Sequence, residues 1–297
     1  MAETASKIRA QDDLYDYVNG EWQKTAVIPD DKPTTGGFSD LAEEVEKTLK
    51  ADFADFADGK KKAPDEETAQ AVELYRKALD FKTRDAAGVK PALKRLAAIL
   101  DLKDLKTFDA KLVSLYKELY RLPFRVFVET DFKDTAKHTL ALLGPDTILP
   151  DTTYYKSGNE SGKKLLALWA STTDKVLEKF PLAAEERAQF IKDAIAFDAL
   201  IASRVKSSEE WAEYNKCYNP TKTETVAEKL APVPFVAFVK SVFGQVPEQI
   251  TVFDPRFLDE FKGLFNEKTF TLYVHWAYVS EVLEDAAYLS DELRVLG

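Results

Sequence analysis

Apolar residues recur at helical spacing along most of this chain. Leu41, Val45, Leu49, Phe53 and Phe56 share one helix face, Ser39 or Asp40 can cap it with Glu43 three residues after Asp40, and Gly59 ends it. A second helix is predicted from Asp65 to about Leu79, with acidic residues in the first turn, where the helix dipole favours them. A third follows Pro91 through Leu93, Leu96 and Leu100, and a fourth starts near Thr107 with Phe108, Leu112, Leu115 and Leu119. The pattern then changes: residues 124–132 and 138–143 are rich in β-branched and aromatic residues around a polar stretch, which predicts a hairpin over about 124–143. Helical spacing resumes from Lys163 to Phe180, where Pro181 breaks it, and again from about Ala184 to Lys206. Asn219-Pro220 marks a turn, Phe235–Phe243 a short apolar helix ended by Gly244, and Thr251–Phe253 a brief extended piece. Asp254-Pro255 is an N-cap with proline at the first helical position, opening a helix through Phe257, Phe261 and Leu264. A last helix starts near Thr269 and carries Tyr273, Trp276, Val279, Leu283 and Ala287.

The first 38 residues show no such period. Asn19-Gly20, Ile28-Pro29, Lys32-Pro33 and Gly36-Gly37 punctuate them, so residues 1–38 are expected to be irregular and 39–297 to form the helical lobe. The fold class is therefore mainly α: a multi-helix lobe with one small β-hairpin. The final helix meets no stop signal before Leu296-Gly297, so the chain is expected to be cut there.

Composition excludes several classes. Hydrophobic residues at 45% and aromatics at 12% suit a folded globular chain. A net charge of −10 repels phosphate backbones, and the one basic run, Lys60-Lys61-Lys62, reads as a solvated loop beside Gly59, so no nucleic-acid partner is expected. The single cysteine, Cys217, cannot form an intramolecular disulfide. The N-terminus lacks the apolar run of a signal peptide, and no uninterrupted apolar stretch could span a bilayer. A cytoplasmic protein with no membrane partner is expected.

The chemistry-bearing residues are sparse. A zinc site needs three or four ligands at tetrahedral angles, usually with two from one local element. Only His138 and His275 exist, far apart in sequence, and neither has a neighbouring ligand. No Gly-x-Ser-x-Gly elbow occurs. Residues 157–164, Ser-Gly-Asn-Glu-Ser-Gly-Lys-Lys, have one residue too few between glycines for a phosphate loop, and Lys164 stands where a magnesium-binding hydroxyl is needed; they read as a flexible polar loop. Paired carboxylates abound among 51 Asp and Glu, but Asp193 and Asp198, five apart, do not share a helix face. No catalytic and no metal residue is assigned.

Several short motifs occur in an informative order. Asp13-Leu14-Tyr15-Asp16-Tyr17-Val18-Asn19-Gly20-Glu21-Trp22 precedes Ile28-Pro29, then Gly36-Gly37-Phe38 and Leu41. Leu74-Tyr75-Arg76, Leu149-Pro150-Asp151 with Tyr154-Tyr155, and Val252 with Asp254-Pro255 and Phe257-Leu258 follow. Together they resemble the N-terminal part of the neprilysin-type zinc metalloendopeptidases, with the bacterial oligoendopeptidase O branch most similar. The resemblance covers nearly the whole chain. It implies a two-lobed enzyme in which a helical lobe encloses short peptide substrates over a C-terminal catalytic region. The zinc-binding motif lies further along in relatives, so the resemblance implies zinc in the parent enzyme and none bound here, with residues 1–297 inactive alone.

The same resemblance makes Thr34, Gly36, Gly37 and Phe38 candidate substrate-binding residues, since glycine lets backbone approach a ligand closely. Where mammalian neprilysin has two arginines gripping a substrate's C-terminal carboxylate, this sequence has Thr34 and Ala42, which implies internal cleavage over dipeptide removal. Cysteine in extracellular relatives stands where this chain has Val18, in keeping with a cytoplasmic location. The rival expectation is a non-catalytic, all-helical binding or scaffold module, which amphipathic helices and acidic charge would suit equally.

Overall fold

Helix formation begins earlier than the sequence predicts. In the computed structural model, which describes residues 8–30, 32 and 34–297, α1 spans Leu14–Gln23. The Asp13 side chain accepts the Asp16 N–H and so caps it. Residues 1–38 are thus not irregular throughout: Leu14, Val18 and Trp22 repeat at helical spacing, and Asn19-Gly20 lie inside the helix. An internal glycine weakens a helix by only about 1 kcal/mol, which one good cap offsets.

The chain divides into two compact units, one ending at Asp80 and one running Phe81–Gly297. In the first, α2 (Gly37–Ala57) and α3 (Glu66–Leu79) follow α1. The N-cap of α2 is Gly36, not Ser39 or Asp40, and no side chain caps it. Its C-terminal half packs on α3, where the Phe53 ring meets Tyr75 edge-on at 5.5 Å. Arg76 donates to the Ala57 carbonyl at 2.8 Å, closing the end of α2. Gly59, at φ +73°, turns the chain there. Lys60 and Lys61 fold back onto Asp52, Asp55 and Asp58 as exposed pairs.

The second unit carries α4 (Phe81–Ala87), α5 (Lys90–Leu100), α6 (Leu105–Lys117), β1 (Arg125–Thr130), β2 (His138–Leu143), α7 (Glu160–Leu177) and α8 (Ala184–Ala202). There follow α9 (Ser208–Ala212), β3 (Asn219–Lys222), α10 (Thr223–Lys229), α11 (Phe235–Phe243), β4 (Gln249–Val252), α12 (Pro255–Leu264), α13 (Phe270–Ala286) and α14 (Asp291–Leu296). The mainly α class and the hairpin are as predicted, with β1 and β2 antiparallel from Arg125 opposite Leu143 to Thr130 opposite His138. The hairpin is extended into a four-stranded sheet of order β1-β2-β4-β3, in which β4 runs parallel to β2 and antiparallel to β3. Asn219-Pro220 is therefore strand, not turn. Pro220 is tolerated because β3 is an edge strand, where a missing N–H costs little.

The core is built around α13, which packs against α5, α7 and α8. Phe270, Tyr273, Val274, Trp276, Ala277, Tyr278, Val279 and Val282 are all buried, so this helix is apolar on every side and not on a single stripe. Phe108, Phe265 and Phe197 ring Tyr273 at centroid distances of 5.5, 5.2 and 5.7 Å. The last helix does not continue to the end of the sequence. It stops at Ala286, and the Ser290 hydroxyl caps the separate α14. The helix expected through Lys206 likewise stops at Ala202, and residues 160–164 are the first turn of α7 where a polar loop was expected, because Asn159 caps it. No described helix is long and apolar enough to cross a membrane.

Candidate functional site

The cleft in the first unit is formed where the start of α2 meets α1. Tyr15, Asn19 and Trp22, one face of α1, oppose Thr35–Phe38 and Leu41 around an open volume of about 750 Å³. Gly36 supplies no capping side chain, so among the described residues the first-turn N–H groups of α2 have no side-chain cap. A Cβ added at Gly36 or Gly37 would meet nothing within 4 Å, so packing does not demand glycine at either position. Phe38 is 92% exposed. Of the four candidate residues, Gly36, Gly37 and Phe38 line the cleft, whereas Thr34 is exposed outside its wall and Thr35 takes that place. The aromatic wall from α1 was missed with α1 itself; the i, i+4, i+7 spacing of Tyr15, Asn19 and Trp22 is its signal.

In the second unit, two landmark motifs converge on residues 205–208. Asp151 accepts N–H groups from Thr153 and Ser208, and these hold its carboxyl well below the usual range. Asp254 caps α12 through the Phe257 N–H and accepts the Lys206 N–H at 2.8 Å; burial pushes its carboxyl up. Cavities of about 780 and 500 Å³ flank the Pro150–Thr152 segment. The charges along their walls are matched: Arg256 pairs with Glu210 at 3.0 Å and Arg125 with Asp146 at 2.7 Å. Between them Tyr155 donates to the buried Asp198, which also accepts the Ile148 N–H at 2.8 Å. Asp193 lies on another side of the same helix, against His275. Asp151, Asp198 and Asp254 hold loop backbone in place through the N–H groups they accept.

Burial pushes the Asp198 carboxyl up to about 6, against the lowering effect of Tyr155 and Ile148. A raised carboxyl pKa means the folded chain keeps a proton that the unfolded chain releases above about pH 4. Its contribution is therefore fully present below pH 4 and declines until about pH 6. Asp198→Asn removes this dependence while keeping an acceptor for Ile148. Between pH 4 and 6.5 the native chain is expected to lose about 2 kcal/mol relative to the Asn variant, measured by urea unfolding of both at each pH. Parallel pH profiles would show that Asp198 does not titrate in this window.

The histidines stay apart. His275 Nδ1 lies 2.7 Å from Asp193, with the Phe190 ring stacked on the imidazole at 3.9 Å, whereas His138 is exposed at the start of β2. Cys217 is buried, its sulfur 3.4 Å from the Lys206 ammonium. Among the described residues no group of three or more His, Cys, Asp or Glu side chains could hold a metal ion.

The relatives account for this arrangement of landmarks without a metal centre. Residues 10–296 match the N-terminal model of peptidase family M13. The chain belongs to that family. The Lactococcus lactis subsp. lactis neutral endopeptidase is 33% identical to this M13 chain over 290 residues, covering 97% of it and 46% of the relative. The Lactobacillus helveticus neutral endopeptidase is 36% identical over 295 residues, covering 99% and 45%. Among solved structures, PEPO from Lactobacillus rhamnosis HN001 superposes with a TM-score of 0.84 at 27% identity, over 97% of this chain and 45% of that one. The M13 chain thus spans about half the length of the relatives it matches. The resemblance to the neprilysin type and its bacterial branch holds, over the N-terminal part alone. Similar proteins include zinc metalloproteases by name, such as a putative one from Streptococcus gordonii at 36% identity. The described donors of this M13 chain do not fit zinc, because His275 has a single carboxylate beside it and His138 has none.

Proposed function

We propose that this M13 chain is the non-catalytic, substrate-enclosing half of a cytoplasmic zinc endopeptidase that hydrolyses short peptides. Zinc and the groups that activate water belong to a catalytic region outside residues 1–297. The observation that carries this reading is the match over residues 10–296 to relatives of twice the length, in a chain whose described residues offer no zinc donor set. The cleft of Gly36, Gly37 and Phe38 takes part of the peptide, with first-turn amides of α2 free for its carbonyls and Tyr15, Trp22 and Phe38 for its side chains. Thr34 lies beside this cleft in sequence and, with Ala42, lacks the guanidinium that would grip a terminal carboxylate, so internal bonds are the substrate.

The test compares residues 1–297 with the polypeptide continued past Gly297 to the length of its relatives. The shorter chain is expected to hold no stoichiometric zinc by mass spectrometry and to leave a quenched fluorescent heptapeptide intact. The longer one is expected to hold one zinc and to cleave free and amidated forms of that peptide at similar rates. Tight zinc in residues 1–297 would overturn the assignment, and cleavage confined to free C-termini would overturn the specificity.

A further inference from the structure

The buried thiol of the second unit is in contact with an amine. Cys217 ends the short turn of residues 214–217 just ahead of β3 and is 3% exposed. The Lys206 Nζ lies 3.4 Å from its sulfur. Two backbone carbonyls hold that nitrogen, Phe253 at 2.7 Å and Lys216 at 3.3 Å, and it sits 5.0 Å over the Trp211 ring. The pair is thus fixed by main chain on the amine side and by burial on the sulfur side. Lys206 and Trp211 also line the cavity of about 500 Å³ beside Pro150–Thr152, which gives small solutes a way to the amine. No second cysteine occurs in residues 1–297, so an oxidised Cys217 has no thiol in this chain with which to condense. The neighbour it does have is a primary amine.

We propose that Cys217 and Lys206 form a modification site at which a hydroperoxide drives a reversible sulfur–nitrogen crosslink. This is independent of the function proposed above. First the thiolate attacks a peroxide oxygen: the S–O bond forms, the O–O bond breaks, and the departing hydroxide leaves as water with the thiol's proton. Lys206, after its ammonium gives one proton to solvent, attacks the sulfenic sulfur. The S–N bond forms, the S–O bond breaks, and the hydroxyl leaves as water with an amine proton. Sulfur loses two electrons, and both peroxide oxygens end as water. Sulfenic acids condense with backbone nitrogen in the same way. Burial of the sulfur slows attack by a second peroxide, which favours the amine already in contact. A dithiol reverses the bond: one thiol takes the sulfur and frees the amine, and the second closes the dithiol's own disulfide. The crosslink clamps the 205–208 stretch, whose N–H groups bind Asp254 and Asp151, to the turn that leads into β3. Closing that loop restricts the unfolded chain, so the oxidised form is the more stable.

Peptide mapping of the native polypeptide tests this. After hydrogen peroxide and non-reducing tryptic digestion, peptides 205–216 and 217–222 are expected as one species, uncleaved at Lys206 and two hydrogens lighter than their sum. Dithiothreitol is expected to separate them. Lys206→Arg keeps a cation beside the sulfur but no condensing amine; there peroxide is expected to carry Cys217 on to the sulfinic and sulfonic acids. Once peroxide is removed, the melting temperature of the treated native chain is expected to be higher by roughly 3 °C and to fall back with dithiothreitol, with no such rise in treated Lys206→Arg. Three results in the mapping would overturn the proposal: an unreacted Cys217, sulfinic acid or an interchain disulfide in place of the crosslink, or the same loss of two hydrogens in Lys206→Arg.

Discussion

Gly162→Ala is expected to destabilise the second unit by about 3 kcal/mol or more, although alanine is the better helix former. Gly162 lies in the first turn of α7, under the turn formed by residues 152–155. A Cβ there would sit 1.9 Å from the Tyr154 carbonyl oxygen and 2.8 Å from its carbon. Those are backbone atoms and cannot swing aside as a side-chain end would. The turn is also tied down, since Asn159 accepts the Gly162 N–H and donates to the Thr153 carbonyl. To admit the methyl group, the segment from Leu149 to Asn159 has to lift, which breaks the Tyr155 bonds to Asp198 and Leu149. Urea unfolding measures the loss, and hydrogen exchange at 148–155 locates it. A change below 0.5 kcal/mol would mean that the close approach relaxes at no cost.

Glu281→Ala is expected to cost about 3–5 kcal/mol. Glu281 is fully buried on α13 and joins three parts of the second unit. One oxygen accepts from the Arg95 guanidinium of α5 and the other accepts the Arg121 N–H at 2.7 Å. Arg95 in turn donates to the Glu118 carbonyl at 2.8 Å and lies 4.2 Å over the Tyr120 ring. Removing the carboxylate leaves a partly buried guanidinium whose nearby carboxylate is then Asp285, at 3.8 Å, and takes the acceptor from the Arg121 N–H. Glu281→Gln keeps one acceptor and is expected to lose about half as much. Denaturant midpoints of both variants decide this; equal losses would mean that charge and not hydrogen bonding holds the knot.

The longer helices were legible because their apolar stripes have enough turns to define a period. α3, with its Asp65 cap, and α12, with Asp254 and Pro255, could be bounded nearly to the residue for the same reason. α4, α9 and α10 are too short to show a period. β3 was hidden because proline argues against a strand unless the strand is known to lie at an edge, and only the sheet order reveals that. The cleft was half legible. Gly36, Gly37 and Phe38 came from a motif, whereas the α1 wall depended on a helix that Asn19-Gly20 disguised. Asp198 could not be distinguished among so many carboxylates, because its partners, the Tyr155 hydroxyl and the Ile148 N–H, are distant in sequence. Asp198 and Ile148 are 50 residues apart.

The sheet also dictates an order of assembly during synthesis. β2 pairs with β4 through Ala141 and Thr251, and α13 supplies the centre of a core whose other members begin near Ala92. A ribosome must therefore deliver the chain to about residue 286 before the second unit can close, whereas the first unit is complete by Asp80. During that interval the hairpin, α5–α8 and their leucines and phenylalanines are held open, as surface for chaperones or for proteases. Nascent chains arrested before residue 270 are expected to be cut readily between residues 92 and 252, and those released past 297 to resist. Resistance in the shorter chains would mean that the early helices close without α13.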